Sequence, residues 1–459
     1  MSGRIAGWLL GVGYATAQLI AMPIGRHPAW DEAIYLTQVT PGAGGTPFAP
    51  SRSRGISLLV APIAGVGLPL TVTRATLVVL SAAALVLAFA AWRPLIGVAA
   101  ATAAGAVLAC SWLAVFYGSE VMPNLWVAFL GVASVGLLAR HLDGPPSVRA
   151  GLVMGSLFAG MALFRPFDAL VLGAVSVVLG LGLVRVRWRA VTPIVAGCVL
   201  GVLPWLVEMS IRYGGPMAAL RGASETGHVS GGSVPERIRQ YVLLADGPLI
   251  GPQPSHGFPL LGVLWLGVAG VSAWWGIRCS GGVRRTGLVL AAAPGTIFIG
   301  IYVLLVGGLA PRFLLPGLAL VAVPCGTGVV EAWRRLAAPV RLAAVVLAGF
   351  WVVSQGLVAV DLGHASAAAR EDPAAVGLSL RDLGARPCSF ASSESFPEIA
   401  YASGCSGTVL TPRSLARGID SPGAFFVVVR AGDIPAWLAG QAGNTVVIAD
   451  DGWLAYRFG

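Results

Sequence analysis

Two adjacent carboxylates stand in Trp30-Asp31-Glu32-Ala33-Ile34-Tyr35, just beyond the first apolar segment of this 459-residue chain. Acidic side chains beside a run that can enter a bilayer are costly unless they are solvated, paired or used for chemistry. Residues 1–360 hold only ten Asp and Glu, and these are two of them. Arg52 and Arg54 follow in the same polar stretch. A carboxylate at such a boundary can take a proton from an acceptor hydroxyl while guanidinium groups hold a phosphate. The plainer reading makes Asp31 the cap of a short amphipathic helix that starts at Glu32. Both readings can hold at once.

Glu120, in Tyr117-Gly118-Ser119-Glu120, is a second isolated acid; it would join Asp31 around a divalent cation or orient an acceptor, or else be a solvated turn residue. Arg165 and Asp168 are expected three apart on one helix, where they could simply pair with each other. The 212–257 stretch is long, rich in Gly, Ser and Pro, and holds Glu225, His228, Arg237, Arg239 and His256. Long loops of this kind are often lids or binding loops. Its histidines lack a partner at metal-ligand spacing.

The elements that must position these groups are membrane helices. Hydrophobic residues make up 56% of the chain and charged ones 11%, against about 25% charged in a soluble domain. Repeated apolar runs of roughly 20 residues predict a polytopic all-α membrane protein. Eleven spans are expected, near 5–24, 74–92, 94–116, 121–139, 150–164, 166–184, 191–211, 258–277, 286–308, 312–332 and 342–360. All 30 basic residues are Arg, which points to a GC-rich bacterial genome. The net charge of +10 comes from residues 1–360, and it suits membrane topology and anionic lipid better than nucleic acid. Arg93, Arg140, Arg149, Arg185, Arg278 and Arg334 fall in alternate short connections. The positive-inside rule puts those in the cytoplasm, with the N-terminus. Ile56–Leu70, broken by Pro62 and Pro69, is then an interfacial or re-entrant element. Outer loops 25–73 and 212–257, Glu120 and everything after residue 360 face the other side, so Asp31, Glu32 and Glu120 should line one outward cavity.

The tail changes character. Strand-length runs, Ala424–Val429 and Thr445–Ala449, alternate with helix-like pieces at Glu394–Ala402 and Ile434–Ala439. Residues 361–459 are expected to form a small extracytoplasmic α/β domain after a membrane domain of residues 1–360. Cys388 and Cys405 are either a disulfide or two buried thiols; their turn-like flanks favour the disulfide. Gly151 and Gly155 form a GxxxG expected to pack helices within the bundle.

An Asp-Glu pair with nearby Tyr35 after the first membrane helix resembles the GT-C class of integral membrane glycosyltransferases. That class includes protein O-mannosyltransferases, the aminoarabinose transferase of lipid A, and actinobacterial mannosyl- and arabinosyltransferases. Phe116–Pro123 resembles the class's second outer loop, with an acid before a Pro. Gly155–Pro166 with Asp168 resembles its glycine-rich helix ending in a basic residue, and Ala310–Pro316 its Arg-aromatic-x-x-Pro segment. One departure stands out: Arg54–Leu59 occupies the place of a Pro-Pro-Leu-Tyr-like run. The resemblance covers residues 1–360. It implies inverting transfer from a polyprenyl-phosphate sugar to a glycan, lipid or protein acceptor of the cell envelope, at the outer face of the bacterial plasma membrane. It also implies a loop like 212–257 over the active site, with His228, Tyr35 and Arg165 near substrate.

A phosphate leaving group needs cationic donors where its charge develops. Arg312, at the outer start of a helix, suits that role, with Arg52 and Arg54 as further candidates. Asp31 is the expected base, assisted by Glu32 and Glu120, with Mg or Mn as the cation considered at Asp31 and Glu120. The rival classes are a transporter or lipid flippase, and a non-catalytic envelope scaffold. A transporter should place its charges near mid-membrane; here they gather at helix ends.

Overall fold

The computed structural model describes residues 3–141, 147–182, 188–219, 221, 233–243, 260–306, 310–420, 423–439, 445–450 and 452–458. Glu225, His228 and His256 lie outside these residues. The chain divides into two compact units. One comprises Met1–Met22, Pro50–Gly55 and Thr76–Gly363; the other comprises Pro23–Ala49, Ile56–Ala75 and His364–Gly459.

The first unit is helical. Among the described residues, five helices are long and apolar enough to cross a membrane: Leu70–Ala90, Val191–Tyr213, Gly282–Leu305, Pro311–Arg335 and Ala338–Asp382. Asn124–Arg140, Val148–Phe164 and Pro166–Gly182 are apolar but shorter. The span expected over 94–116 is not one rod. It breaks into Arg93–Ile96, Val98–Ala109 and Trp112–Gly118, and the last two meet at 76°. Gly97 takes a left-handed φ of 84° at the first break. At the second, the Ser111 hydroxyl accepts from the Ala114 amide at 3.3 Å and starts a new helix. Arg165 and Asp168 also do not share a helix. Arg165 is the extended cap that ends Val148–Phe164, and Asp168 opens Pro166–Gly182. The proline after Arg165 forces that break by disfavouring helical backbone before it. Helices Val148–Phe164 and Trp188–Tyr213 meet through Gly155 and Gly197. A Cβ on Gly197 would fall 2.2 Å from the Gly155 carbonyl oxygen, so only glycine lets the backbones approach this closely.

The second unit is built on a five-stranded sheet in the order β2-β1-β3-β5-β4, with β1 Cys388–Ser392, β2 Ser406–Val409, β3 Ala424–Arg430, β4 Thr445–Asp450 and β5 Trp453–Phe458. β1 runs parallel to β2 and β3, while β5 is antiparallel to β3 and β4. β3 is central and covered on both faces, which explains its unbroken apolar run. Phe426 and Val428 pack with Phe390, Ile399 and Trp453 on one face. Phe425, Val427 and Val429 pack with Leu415 and Leu438 on the other. Cys388 and Cys405 are bonded, with Cα atoms 4.9 Å apart.

Two segments from early in the chain complete this unit. Residues 41–46 run against the Ala400–Gly407 region: the Gly44 amide donates to the Ala400 carbonyl at 3.0 Å, and the Gly407 amide to the Gly45 carbonyl at 2.9 Å. A Cβ on Gly44 would sit 1.7 Å from the Cys405 carbonyl oxygen. The second segment is the ten-residue helix Gly55–Ala64, about 15 Å long at 1.5 Å per residue and so too short to span a bilayer core.

Candidate active site

The acidic loop folds as a helix, Trp30–Leu36, that starts two residues earlier than a cap at Asp31 would allow. Ala29 is its cap and Asp31 lies within its first turn, so Asp31 is not the capping residue. Glu32, at the third helical position, reaches back to accept from the Ala29 amide at 3.1 Å. The same oxygen, Oε2, accepts from Arg74 Nη2 at 2.8 Å and from Arg370 Nη1 at 3.0 Å. Glu32 and Arg74 are fully buried and Arg370 nearly so. Arg74 also donates to the backbone carbonyls of Arg26 and His27, and Arg370 to that of His27 at 3.1 Å. One carboxylate therefore ties residues 26–32 to two arginines distant in sequence. Charge-assisted bonds of this kind are the strong ones, and satisfying each lone pair is what makes a buried ion pair tolerable. Trp30 adds an edge-to-face contact on Phe396, ring centroids 4.9 Å apart.

Asp31 remains half-exposed beside this anchor. Glu398 faces the same helix from the unit's own sheet-bearing part. It is 9% exposed, and its Oε2 has no hydrogen-bond partner among the described residues. Burial pushes its carboxyl up to about 7, and nearby Asp31 pushes the same way while Arg370 opposes. Tyr35 is buried against Phe48, with centroids 6.0 Å apart, and its carbonyl accepts from Ser57 Oγ at 2.9 Å.

The first unit carries the other candidates. The helix Trp112–Gly118 is fixed by Tyr14, whose hydroxyl donates to the Ala114 carbonyl at 2.6 Å, and by Gln355, which accepts from the Trp112 amide at 3.1 Å. A Cβ on Gly118 would lie 2.1 Å from Gln18 Oε1. This clamp holds the turn that follows, where Ser119, Glu120 and Asn124 are all buried. Arg312, also buried, sits on a single 3-10 turn, Pro311–Leu314, packed against helices Trp112–Gly118 and Asn124–Arg140.

Phe313 is the hub of this turn. The Arg312 guanidinium carbon lies 5.1 Å from its ring centroid and that of Arg165 lies 5.0 Å from it. Arg165 is aimed by two groups: Nε donates to Asp168 Oδ2 at 2.5 Å, and Nη2 donates to the Tyr302 hydroxyl at 3.0 Å. Tyr302 in turn donates to Asp168 Oδ1, and its ring packs at a tilt on Phe313, centroids 5.5 Å apart. Tyr241, on helix Val234–Leu243, is pushed up to about 12 by burial, with the Arg312 charge pulling the other way. Two cations on one ring can grip a dianionic oxygen cluster.

Arg54 forms a forked pair with Glu208, the shortest contact being 2.7 Å, and Glu208 also holds Arg212 at 3.1 Å. Arg52 is half-buried in the same stretch, next to Ser53, whose hydroxyl donates to the Leu163 carbonyl at 2.6 Å. Among the described residues, no group of three or more His, Cys, Asp and Glu is placed to hold a metal ion.

Sequence reasoning missed Arg74, Arg370, Glu208, Tyr302, Asn124 and Glu398. Arg74 had a visible signal, an arginine inside an otherwise apolar run. The others act through contacts 130 or more residues away or through burial, which no local pattern encodes.

The structure of ArnT from Cupriavidus metallidurans bound to undecaprenyl phosphate is similar over 98% of both chains, with a TM-score of 0.71 and 13% identity. The archaeal oligosaccharyltransferase AglB from Archaeoglobus fulgidus, in complex with an inhibitory peptide and a dolichol-phosphate, matches at a TM-score of 0.55 and 11% identity, over 93% of this chain and 69% of that one. The chain has the GT-C fold. No family model and no curated protein matches the sequence. At these identities the GT-C fold is shared while side chains are not, so residue roles rest on this chain's own geometry.

Proposed function

We propose that the chain is a glycosyltransferase that moves a sugar from a polyprenyl-phosphate donor to a cell-envelope acceptor at the outer face of the bacterial plasma membrane. The observation that carries this reading is the pair of guanidiniums on Phe313, in a chain of GT-C fold. Arg312 and Arg165 bind the donor phosphate. They also stabilise the charge that grows on it as the bond to the anomeric carbon breaks. Asp168 and Tyr302 position Arg165.

The reaction is a single displacement. The acceptor hydroxyl oxygen forms a bond to the anomeric carbon on the face opposite the phosphate, polyprenyl phosphate leaves with the electron pair, and configuration inverts. Asp31 takes the hydroxyl proton. Glu32 holds the Asp31 helix in place through Arg74 and Arg370, so its part is positioning. Glu120 orients the acceptor. Arg52 is a second phosphate contact, whereas Arg54 is committed to Glu208. The acceptor is a glycan, lipid or protein, and no step is routed through a metal.

The test is incubation of purified protein with a panel of polyprenyl-phosphate sugars and membrane-derived acceptors, following release of polyprenyl phosphate. Release that disappears in Asp31→Asn supports the reading. A folded protein that releases nothing from any donor overturns it.

A further inference from the structure

Asn124 opens the helix Asn124–Arg140 and is 0% exposed. Neither its Oδ1 nor its Nδ2 has a hydrogen-bond partner among the described residues. A buried amide left in this state is destabilising, so native proteins rarely leave one unmet without a use. Its helix neighbours the proposed phosphate site. Glu120 lies four residues before it, and the turn carrying Arg312 packs on its helix.

The chemistry of the missing partner can be read from the amide. A carboxamide presents an acceptor and a donor side by side. A phosphate accepts only and would leave Oδ1 unmet; the arginines already supply that ligand's donors. A vicinal diol satisfies both ends, because each hydroxyl can donate and accept. In a polyprenyl-phosphate sugar the phosphate is joined to the polyprenyl chain on one side and to the anomeric carbon on the other, so the ring hydroxyls lie next to the phosphate. We infer that Asn124 reads a pair of adjacent hydroxyls on the transferred sugar and so sets donor specificity. This rests on the glycosyltransferase reading and narrows it to donors that carry an intact diol, excluding the corresponding deoxy sugars.

The probes are polyprenyl-phosphate mannose, arabinose and glucose, and the monodeoxy analogues of whichever is used. Wild-type protein should favour the intact donor over one monodeoxy analogue by about 100-fold or more in kcat/KM, the behaviour of a site built to bond a hydroxyl. Asn124→Leu, of similar volume, should bring that ratio close to unity, mainly by slowing the intact donor. Its thermal midpoint without donor should equal or exceed that of wild type, since an unmet polar group has been removed. Three results overturn the inference while leaving the glycosyltransferase reading intact: no wild-type discrimination against any analogue, discrimination that survives Asn124→Leu, or a midpoint lowered by several degrees. The last would mean that the amide is bonded within the fold. Release from none of the intact donors would sink the parent reading and this inference together.

Discussion

Removing the Glu32 carboxylate should unseat the loop that carries Asp31. In Glu32→Ala, the guanidiniums of Arg74 and Arg370 lose a shared oxygen at 2.8 and 3.0 Å and remain where water does not reach. Stripping one partner from a buried ion pair typically costs about 3–5 kcal/mol, because the partner's charge is left uncompensated. Here two charges lose one partner, so the upper part of that range applies. For a unit of this size, the loss corresponds to a fall in thermal midpoint on the order of 10 °C. The assay is tryptophan fluorescence of detergent-solubilised protein on heating, at fixed scan rate because unfolding of such proteins is often irreversible. Two controls sharpen the result. Salt should hardly change the difference, since buried pairs are weakly screened. Replacing all three groups together, Glu32→Leu with Arg74→Met and Arg370→Met, should cost less than Glu32→Ala alone, because apolar side chains can substitute for a complete buried network. A Glu32→Ala protein that keeps its midpoint and loses sugar transfer would refute the anchor and return Glu32 to the reacting groups.

Asp31→Asn should lower single-turnover rate by roughly 100- to 10,000-fold with donor affinity nearly kept, the loss expected for a general base; near-normal turnover would remove Asp31 from the mechanism. Arg312→Ala should weaken both donor affinity and rate, because phosphate is charged in the ground and transition states alike. Tyr302→Phe should reduce rate less than Arg165→Ala, as it loosens the arginine's aim and spares its charge; equal losses would show that Tyr302 itself touches substrate. Burial lets Glu398 hold its proton to about pH 7 in the folded protein, against about 4.5 when unfolded. Its raised value makes its contribution to stability complete below about pH 4 and progressively lost as pH rises to 7, by about 3 kcal/mol in all. Glu398→Gln should flatten the stability profile across that window, and an unchanged slope would assign the titration elsewhere. Both Cys388 and Cys405 should resist thiol labelling under non-reducing conditions, and labelling of the pair would count against the bond.

What the sequence made legible was what depends on local pattern. The apolar run of β3, the tail's alternation and the apolar helices follow from periodicity and length, and Arg312 stood out as a cation next to an aromatic at a helix start. The break within 94–116 was less legible because Ser111 signals a cap only once the chain is known to turn there. Arg165 and Asp168 were three apart in sequence, yet their partner Tyr302 lies 134 residues beyond Asp168. Glu32 looked like a reacting group because its two arginines, Arg74 and Arg370, are visible as partners only in three dimensions. A polar residue's role turns on its burial and on what meets it, and for Glu32 and Asn124 neither can be read from their neighbours in the chain.

Glu32 and Arg370 are 338 residues apart. At about 5–20 residues per second, roughly 20–70 s of synthesis separate the emergence of the loop from that of its last partner. For that interval the Asp31 helix has its carboxylate but only part of its seat, since Gly44 and Gly45 also await the strand-bearing tail. Maturation of this loop is therefore a late event, coupled to completion of the chain. A truncation just before residue 364 would leave apolar helices able to enter the bilayer, with the acidic loop still without its arginine clasp. Such a product could be abundant, correctly inserted and inert.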